Sequence, residues 1–184
     1  MIGLNAIFWL FIVMFGIIGA MRGWAKELLV TFSVILTLFI INVLENLLPV
    51  VGPALTRSPE IDFWIRTGLL IGLVFFGYQS PSIPRLAGTN RFVRERLQDS
   101  LLGFLLGSIN AYLFVGTLLW YLQKAYELMG EQYPIGFIIP PDPTSPIGIA
   151  YFDLLKRLPP VWLNGVGIYV AVALAFTFVL IVFI

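Results

Sequence analysis

Few side chains in this sequence could carry out chemistry, and the two residue types that most often do so are missing. The 184 residues include no cysteine and no histidine. Their absence excludes disulfides, thiolate metal sites, a cysteine nucleophile and an imidazole proton relay. No serine stands with a base at a plausible helical spacing, and no apolar stretch carries a carboxylate near its centre. We therefore expect no enzymatic activity, no metal and no cofactor.

Asn110 and Glu45 are the polar residues that stand within or beside long apolar stretches, and each leaves two interpretations open. Asn110 could line a polar path, or it could make an interhelical hydrogen bond worth about 0.6 kcal/mol. Glu45 shares one helical face with Asn42 and Asn46 near the end of a stretch. There a solvated or paired carboxylate is expected more than a proton relay. The structural interpretation is the simpler one for both residues.

The elements that must position these side chains are apolar helices long enough to cross a bilayer. Hydrophobic residues make up 59% of the chain and charged residues 11%, against about 25% charged residues in soluble domains. A helix of about 20 apolar residues spans the hydrocarbon core. Five stretches meet this requirement, at 2–21, 28–48, 63–79, 100–123 and 161–184. We predict an all-α, polytopic transmembrane helix bundle with a four-helix core, a fifth C-terminal span and a short outer amphipathic helix.

Basic residues in the connecting segments predict the orientation of this bundle. Six fall on one side, namely Arg22, Lys26, Arg85, Arg91, Arg94 and Arg96, and five on the other, namely Arg57, Arg66, Lys124, Lys156 and Arg157. By the positive-inside rule we expect the N-terminus outside and the C-terminus in the cytoplasm. Arg91, Arg94 and Arg96 either set this topology or bind lipid headgroups or a partner. A net charge of +1 gives no reason to expect a nucleic-acid partner.

Small residues four positions apart predict where helices approach one another closely. The fourth stretch has the longest such row and is expected at the centre of the bundle, packed within the chain or against other subunits. The predicted packing residues are Gly19, Gly23, Gly68, Gly72, Gly103, Gly107, Ala111, Gly167, Ala171 and Ala175.

The segment between the first two stretches is short enough to force a helical hairpin. Gly23 permits the tight turn, Trp24 suits the membrane interface, and Glu27 falls in the first turn of the next helix, where the helix dipole favours an anion. The alternative is a cytoplasmic contact built on Arg22 and Glu27.

The segment 124–160, predicted to lie outside the membrane, is rich in proline and cannot be helical throughout. Phe137, Ile138 and Ile139 would form an exposed apolar patch of the kind that marks a partner surface. After it, Ser145 caps and Pro146 begins a short amphipathic helix. We expect this helix to lie flat on the outer membrane surface.

Three places in the sequence resemble the colicin V production protein (CvpA) family of bacterial membrane proteins. The turn Arg22-Gly23 with Glu27 is similar to its Arg-Gly-x-x-x-Glu turn, and Asp99 with Gly103 and Gly107 is similar to the entry to its fourth helix. The third place runs from Ser145-Pro146 through the residues 152–155 to Pro159. The resemblance implies a CvpA-like membrane domain over residues 1–160, an additional transmembrane helix over 161–184, and a bacterial cytoplasmic membrane location. It links the chain to colicin V production or export and to envelope homeostasis, without a defined biochemical activity.

Together these features favour a non-enzymatic accessory or scaffold subunit embedded in lipid and packed against other membrane subunits or itself. The alternative is an oligomeric channel or a transport or export component, with Asn110 and Thr117 lining a shared pore. The apolar run that ends at Ile184 has no anchor after it. Either that end is buried, or the natural chain continues beyond it, which is our expectation.

Overall fold

The computed structural model describes residues 3–46, 58–79 and 93–183, and all of the regular structure within these ranges is helical. Gly23, with φ 87°, separates the first two helices, and Pro59 begins the third. The helices are α1 (Leu4–Arg22), α2 (Trp24–Asn46), α3 (Pro59–Tyr78), α4 (Val93–Leu128), α5 (Pro146–Leu155), α6 (Pro159–Trp162) and α7 (Val166–Phe183).

Four of the described helices, α1 to α4, are long and apolar enough to cross a membrane. The segment from α5 to α6 passes the same test together with α7, from which it is bent by 65°, so the number of spans is four or five. The chain therefore has the predicted fold, an all-α bundle of membrane-spanning length.

The predicted start of the third stretch was wrong. The third helix begins at Pro59 rather than at Phe63, so Arg66 lies two turns inside it and not at its margin. The predicted fourth span, 100–123, lies within α4, which is one uninterrupted helix of 36 residues. Its length of about 54 Å exceeds the hydrocarbon core of about 30 Å, so α4 extends beyond the core.

Helix α4 lies at the centre of the bundle, as predicted. It runs along most of α1 and also packs against α2, α3 and α6. The main core holds buried side chains from α2, α3 and α4, among them Val30, Val34, Leu70 and Leu122. We call the end of the bundle at the α1–α2 turn the Arg22 end, and the opposite end, where α1 begins, the Asn5 end.

A second, smaller core lies at the Asn5 end and holds α5 in place. It is formed by Phe8 of α1, Leu119 of α4, Tyr151 of α5 and Leu158. Ser145 caps α5 as predicted, since its hydroxyl oxygen accepts the Gly148 N–H at 3.0 Å. Because Tyr151 and Leu158 are fully buried, α5 is docked on the bundle and does not merely rest on a membrane surface.

The last predicted span was also drawn too long at its start. Instead of one helix from 161, α6 ends at Trp162 and α7 begins at Val166, and Gly165 between them has φ 48°. Helix α7 packs on α2 through two edge-to-face ring pairs, Phe32 with Phe176 and Phe39 with Tyr169.

Candidate functional site

A buried ion pair joins α1 to α2 at the Arg22 end. Arg22 Nη1 donates to Glu27 Oε1 at 2.5 Å, and Arg22 Nη2 donates to the backbone oxygen of Tyr78 at 3.1 Å. The guanidinium also lies over the Tyr78 ring, 4.3 Å from its centroid. Glu27 is fully buried in the first turn of α2. The α1–α2 turn is thereby attached to the end of α3.

Asn110 connects this ion pair to the central helix. Its amide Nδ2 donates to both the backbone oxygen and the carboxylate Oε2 of Glu27, at 2.8 Å and 2.9 Å. Its Oδ1 accepts the hydroxyl of Thr31 at 2.6 Å. Of the two interpretations that the sequence left open, the structure shows the interhelical hydrogen bond, and Asn110 is fully buried.

Three glycines bring α1 and α4 into backbone contact just beyond this polar cluster. A Cβ on Gly19 would lie 2.9 Å from the Cα of Gly107, and a Cβ on Gly103 would lie 3.0 Å from the carbonyl carbon of Gly19. Each would come closer still to a backbone oxygen of the facing helix. Only glycine fits at these positions because the two backbones leave no room for a side chain.

Asp99 completes the Arg22 end. Its Oδ1 accepts the N–H of Trp24 at 3.2 Å, which satisfies a free donor at the start of α2. Gly23 packs against the same carboxylate, and a Cβ there would lie 3.0 Å from it. The residues of the first two of the three places that resemble the CvpA family therefore lie together at this end, namely Arg22, Gly23, Glu27, Asp99, Gly103 and Gly107. The third place lies at the Asn5 end.

The remaining predicted packing residues behave differently from one another. A Cβ on Gly68 or Gly72 would meet nothing within 4 Å in the described part of the chain. Ala111 is fully buried, and Ala171 packs against the main core. Gly167 approaches only the backbone of Trp162, a local contact before α7.

Among the close approaches that were not predicted, two involve α4. Gly16 faces Phe104 and Ser108 of α4, three residues before Gly19 on the same side of α1. Gly116 faces Leu158 and Pro159, where α5 and α6 meet α4. The first extends the contact between α1 and α4, and Gly16, three residues before Gly19, was a usable signal in the sequence. The second packs against the bend where α6 begins, for which the spacing within one helix gives no signal.

A second charged cluster lies at the Asn5 end and centres on Arg66. Its Nε donates to Asp62 at 2.7 Å, and its Nη1 forms an ion pair with Glu45 of α2. The guanidinium lies 5.7 Å from the centroid of the Tyr121 ring. Glu45 is therefore the paired carboxylate that the sequence analysis expected. Asp62 was not singled out, although its position one helical turn before Arg66 was a usable signal.

The three residues of the predicted apolar patch, 137–139, do not all face outward in the structure. Phe137 and Ile139 are exposed, at 85% and 61%. Ile138 is instead packed against the main core, and its N–H donates to Ile135 in a turn. The prediction of three exposed side chains was wrong for Ile138, because a tight turn directs alternate residues to opposite sides.

The basic residues at the start of α4 are only partly described. Arg91 lies outside the described residues, and for Arg94 the backbone alone is described. Arg96 is exposed on the first turns of α4. Within the described ranges, no group of three or more Asp or Glu side chains is placed to hold a metal ion.

The fold and these clusters define a multi-pass helical membrane protein with one cluster of paired charges at each end of the described bundle. Comparison with known proteins adds no relative, because no family model, no curated protein and no solved structure matches this chain.

Proposed function

We propose that the chain is a non-enzymatic accessory or scaffold subunit, similar to CvpA-type envelope proteins, that packs into a larger assembly in the bacterial cytoplasmic membrane. Its partners are membrane lipids and other membrane subunits or further copies of itself. The Arg22 end faces the cytoplasm, with the N-terminus outside and the C-terminus inside, as the distribution of basic residues favours.

The observation that carries this proposal is the open face of α3. A Cβ on Gly68 or Gly72 would meet none of the described residues within 4 Å, whereas the same spacing on α1 and α4 is filled by backbone contact. Trp64, Ile71 and Phe75 flank these glycines and are about half exposed. In lipid, small residues at this spacing favour close approach of a second helix, because apolar area alone gives little driving force.

The polar residues inside the bundle support a structural role over a pore. Asn110 has both its amide and its oxygen engaged by Glu27 and Thr31. The Thr117 hydroxyl donates to the backbone oxygen of Leu113 within its own helix. Asn110 and Thr117 are both fully buried. The channel alternative needs these side chains to face a shared lumen, which would require breaking these contacts.

The resemblance to the CvpA family gives additional support. Its motif residues are spread over two distant parts of the sequence, yet Arg22 and Glu27 form one ion pair and Asp99 accepts a hydrogen bond from the turn between them. Arg96 lies one turn before Asp99 and is exposed, where it is available to lipid phosphate or a partner at the cytoplasmic surface.

The test is mild extraction of the full chain followed by native mass spectrometry, comparing wild type with the double variant Gly68→Leu, Gly72→Leu. We expect wild type to co-purify at a reproducible stoichiometry with defined membrane subunits, and the double variant to lose them while keeping its own thermal stability. Ala173→Leu, which enlarges an exposed small residue of α7, is the matched control and should retain the partners.

Two results would contradict this proposal. One is unchanged co-purification of the double variant, which would exclude the α3 face as the interface. The other is a clean homo-oligomer that conducts ions in liposomes, which would favour the channel alternative.

A further inference from the structure

An open groove lies at the Asn5 end between α1, α4 and α5. Its cavity has a volume of about 440 Å³, within the range of about 300–1,000 Å³ that is typical of small-molecule sites. Phe8, Trp9, Ala150 and Leu154 form its apolar wall. A groove with this wall is suited to an aliphatic or aromatic group.

The rim of the same groove is polar and carries one charge of each sign. Asp153 and Arg157 line it from the α5 side, and Asn5 lines it from α1. Asp153 and Arg157 are exposed and four residues apart. The Oδ1 of Asp153 accepts Lys156 Nζ at 2.7 Å, while a carboxylate has a second oxygen with further acceptor capacity.

Hydrogen bonds from two aromatic side chains fix the position of this rim. The Tyr112 hydroxyl donates to the backbone oxygen of Arg157, and Trp162 Nε1 donates to Tyr112 at 3.2 Å. These contacts hold the Arg157 backbone, and its exposed side chain can turn toward the groove. Trp9 and Trp162 are half exposed here, as is usual for tryptophans at a membrane interface.

We propose that this groove binds one phospholipid with a zwitterionic, primary-amine headgroup of the phosphatidylethanolamine type. Arg157 binds the phosphate, and its planar guanidinium can donate two hydrogen bonds to one phosphate group. Asp153 and the side-chain oxygen of Asn5 accept N–H bonds from the ammonium group. One acyl chain lies along the wall formed by Phe8, Trp9 and Leu154.

The charges on the rim distinguish this lipid from its common alternatives. A phosphatidylglycerol headgroup carries the same phosphate but has no cation to place near Asp153. A choline headgroup carries a cation without any N–H, so it cannot donate to Asp153 or Asn5. A lipid without a phosphate leaves Arg157 without its anion. The groove thus selects a lipid that carries both a phosphate and a primary amine.

The experiment is native mass spectrometry of the full chain in neutral detergent, with phosphatidylethanolamine, phosphatidylcholine and phosphatidylglycerol of identical acyl chains added at equal concentrations. We expect the ethanolamine lipid to give the most abundant adduct. Arg157→Gln and Asp153→Asn should each weaken it about tenfold, as for loss of one charge-assisted hydrogen bond. Arg157→Gln keeps the backbone oxygen that Tyr112 contacts. Lys26→Gln, an exposed charge at the Arg22 end, is the control and should bind as wild type.

A second variant tests the groove without touching its charges. Ala150→Phe fills the apolar wall and should reduce adducts of all three lipids, with helicity checked by circular dichroism. Equal adducts of the three lipids on wild type, or full binding by both Arg157→Gln and Asp153→Asn, would overturn the proposal. So would displacement of the lipid by an equal concentration of soluble glycerophosphoethanolamine, because the acyl contacts would then contribute nothing. None of these results depends on whether the chain acts as an accessory subunit.

Discussion

We call the backbone contact between α1 and α4 at Gly19, Gly103 and Gly107 the glycine crossing. Replacement of Gly103 by alanine tests it. The added Cβ would lie 3.0 Å from the carbonyl carbon of Gly19, closer still to its oxygen, and 3.3 Å from the carbonyl carbon of Gly23. All of these atoms are backbone, so no side chain can rotate away to make room. The two helices would have to separate by about 1 Å to restore ordinary carbon contacts of about 3.5–4.0 Å.

The cost of that separation can be estimated. Overpacking a filled site usually costs about 1–3 kcal/mol, and the rigid neighbours of Gly103 place this variant in the upper half of the range, near 2–3 kcal/mol. The α1–α4 pair is the most extensive helix contact in the described part of the chain. Separating α1 from α4 also loosens the adjacent cluster of Arg22, Glu27 and Asn110, which lowers the stability further.

The matched control is alanine at Gly68 or Gly72, the same change in a helix but into open space. These variants should leave stability unchanged or raise it by up to about 1 kcal/mol, because alanine favours a helix over glycine. The assay is reversible unfolding in mixed micelles by titration with sodium dodecyl sulfate, followed by circular dichroism. Equal transition midpoints for Gly103→Ala and Gly68→Ala would refute the crossing, as would a Gly68→Ala variant that is the less stable of the two.

Two further predictions concern polar contacts. Asn110→Leu should lower the unfolding free energy by about 1–2 kcal/mol, because the amide donates to a buried carboxylate. This loss exceeds the average of about 0.6 kcal/mol for interhelical hydrogen bonds in membranes. Thr117→Val loses only a contact within its own helix and should change the unfolding free energy little in the same titration. Asp142 accepts the N–H and the hydroxyl of Thr144, and these bonds hold the Asp142 pKa below its ordinary value of 3.8. The stabilisation of this turn is therefore complete above pH 3.8 and is lost as the pH falls through the lower folded-state pKa. Hydrogen exchange at the Thr144 amide, corrected for the intrinsic rate, should show this step in wild type and not in Asp142→Asn; a step common to both would contradict the assignment.

Helix content and close-packing residues could be predicted from sequence because both depend on local patterns. Long apolar stretches require helices in lipid, and glycines four apart mark a face that a neighbour can approach. That pattern does not say which neighbour. Gly68 and Gly72 have the same spacing as Gly103 and Gly107, yet among the described residues only the second pair is covered by another helix. The difference depends on how the helices are arranged, which no local spacing encodes.

The polar clusters could be predicted only in part, for a similar reason. Glu27 was predicted to have a local role in the first turn of α2, where it lies, and Arg22 was named with it only in the alternative of a cytoplasmic contact. The contact between Glu27 and Asn110 joins residues 83 positions apart. It could not be inferred without knowing that α4 crosses α2 at this height. The helix boundary mattered too, because drawing α3 from Phe63 hid Asp62 as a partner of Arg66.

The spacing of the two charged clusters shows how this bundle accommodates ionised groups in lipid. Glu27 and Glu45 lie on the same helix, 18 residues or about 27 Å apart, close to the hydrocarbon thickness of about 30 Å. Each pairs with an arginine, Arg22 at one end and Arg66 at the other. Both clusters can therefore lie at opposite interfaces while the helix between them crosses the core. A proton or ion relay needs ionisable groups along that path, whereas charges confined to its two ends fix the depth and tilt of the helices. This placement is why we favour a structural subunit over a carrier.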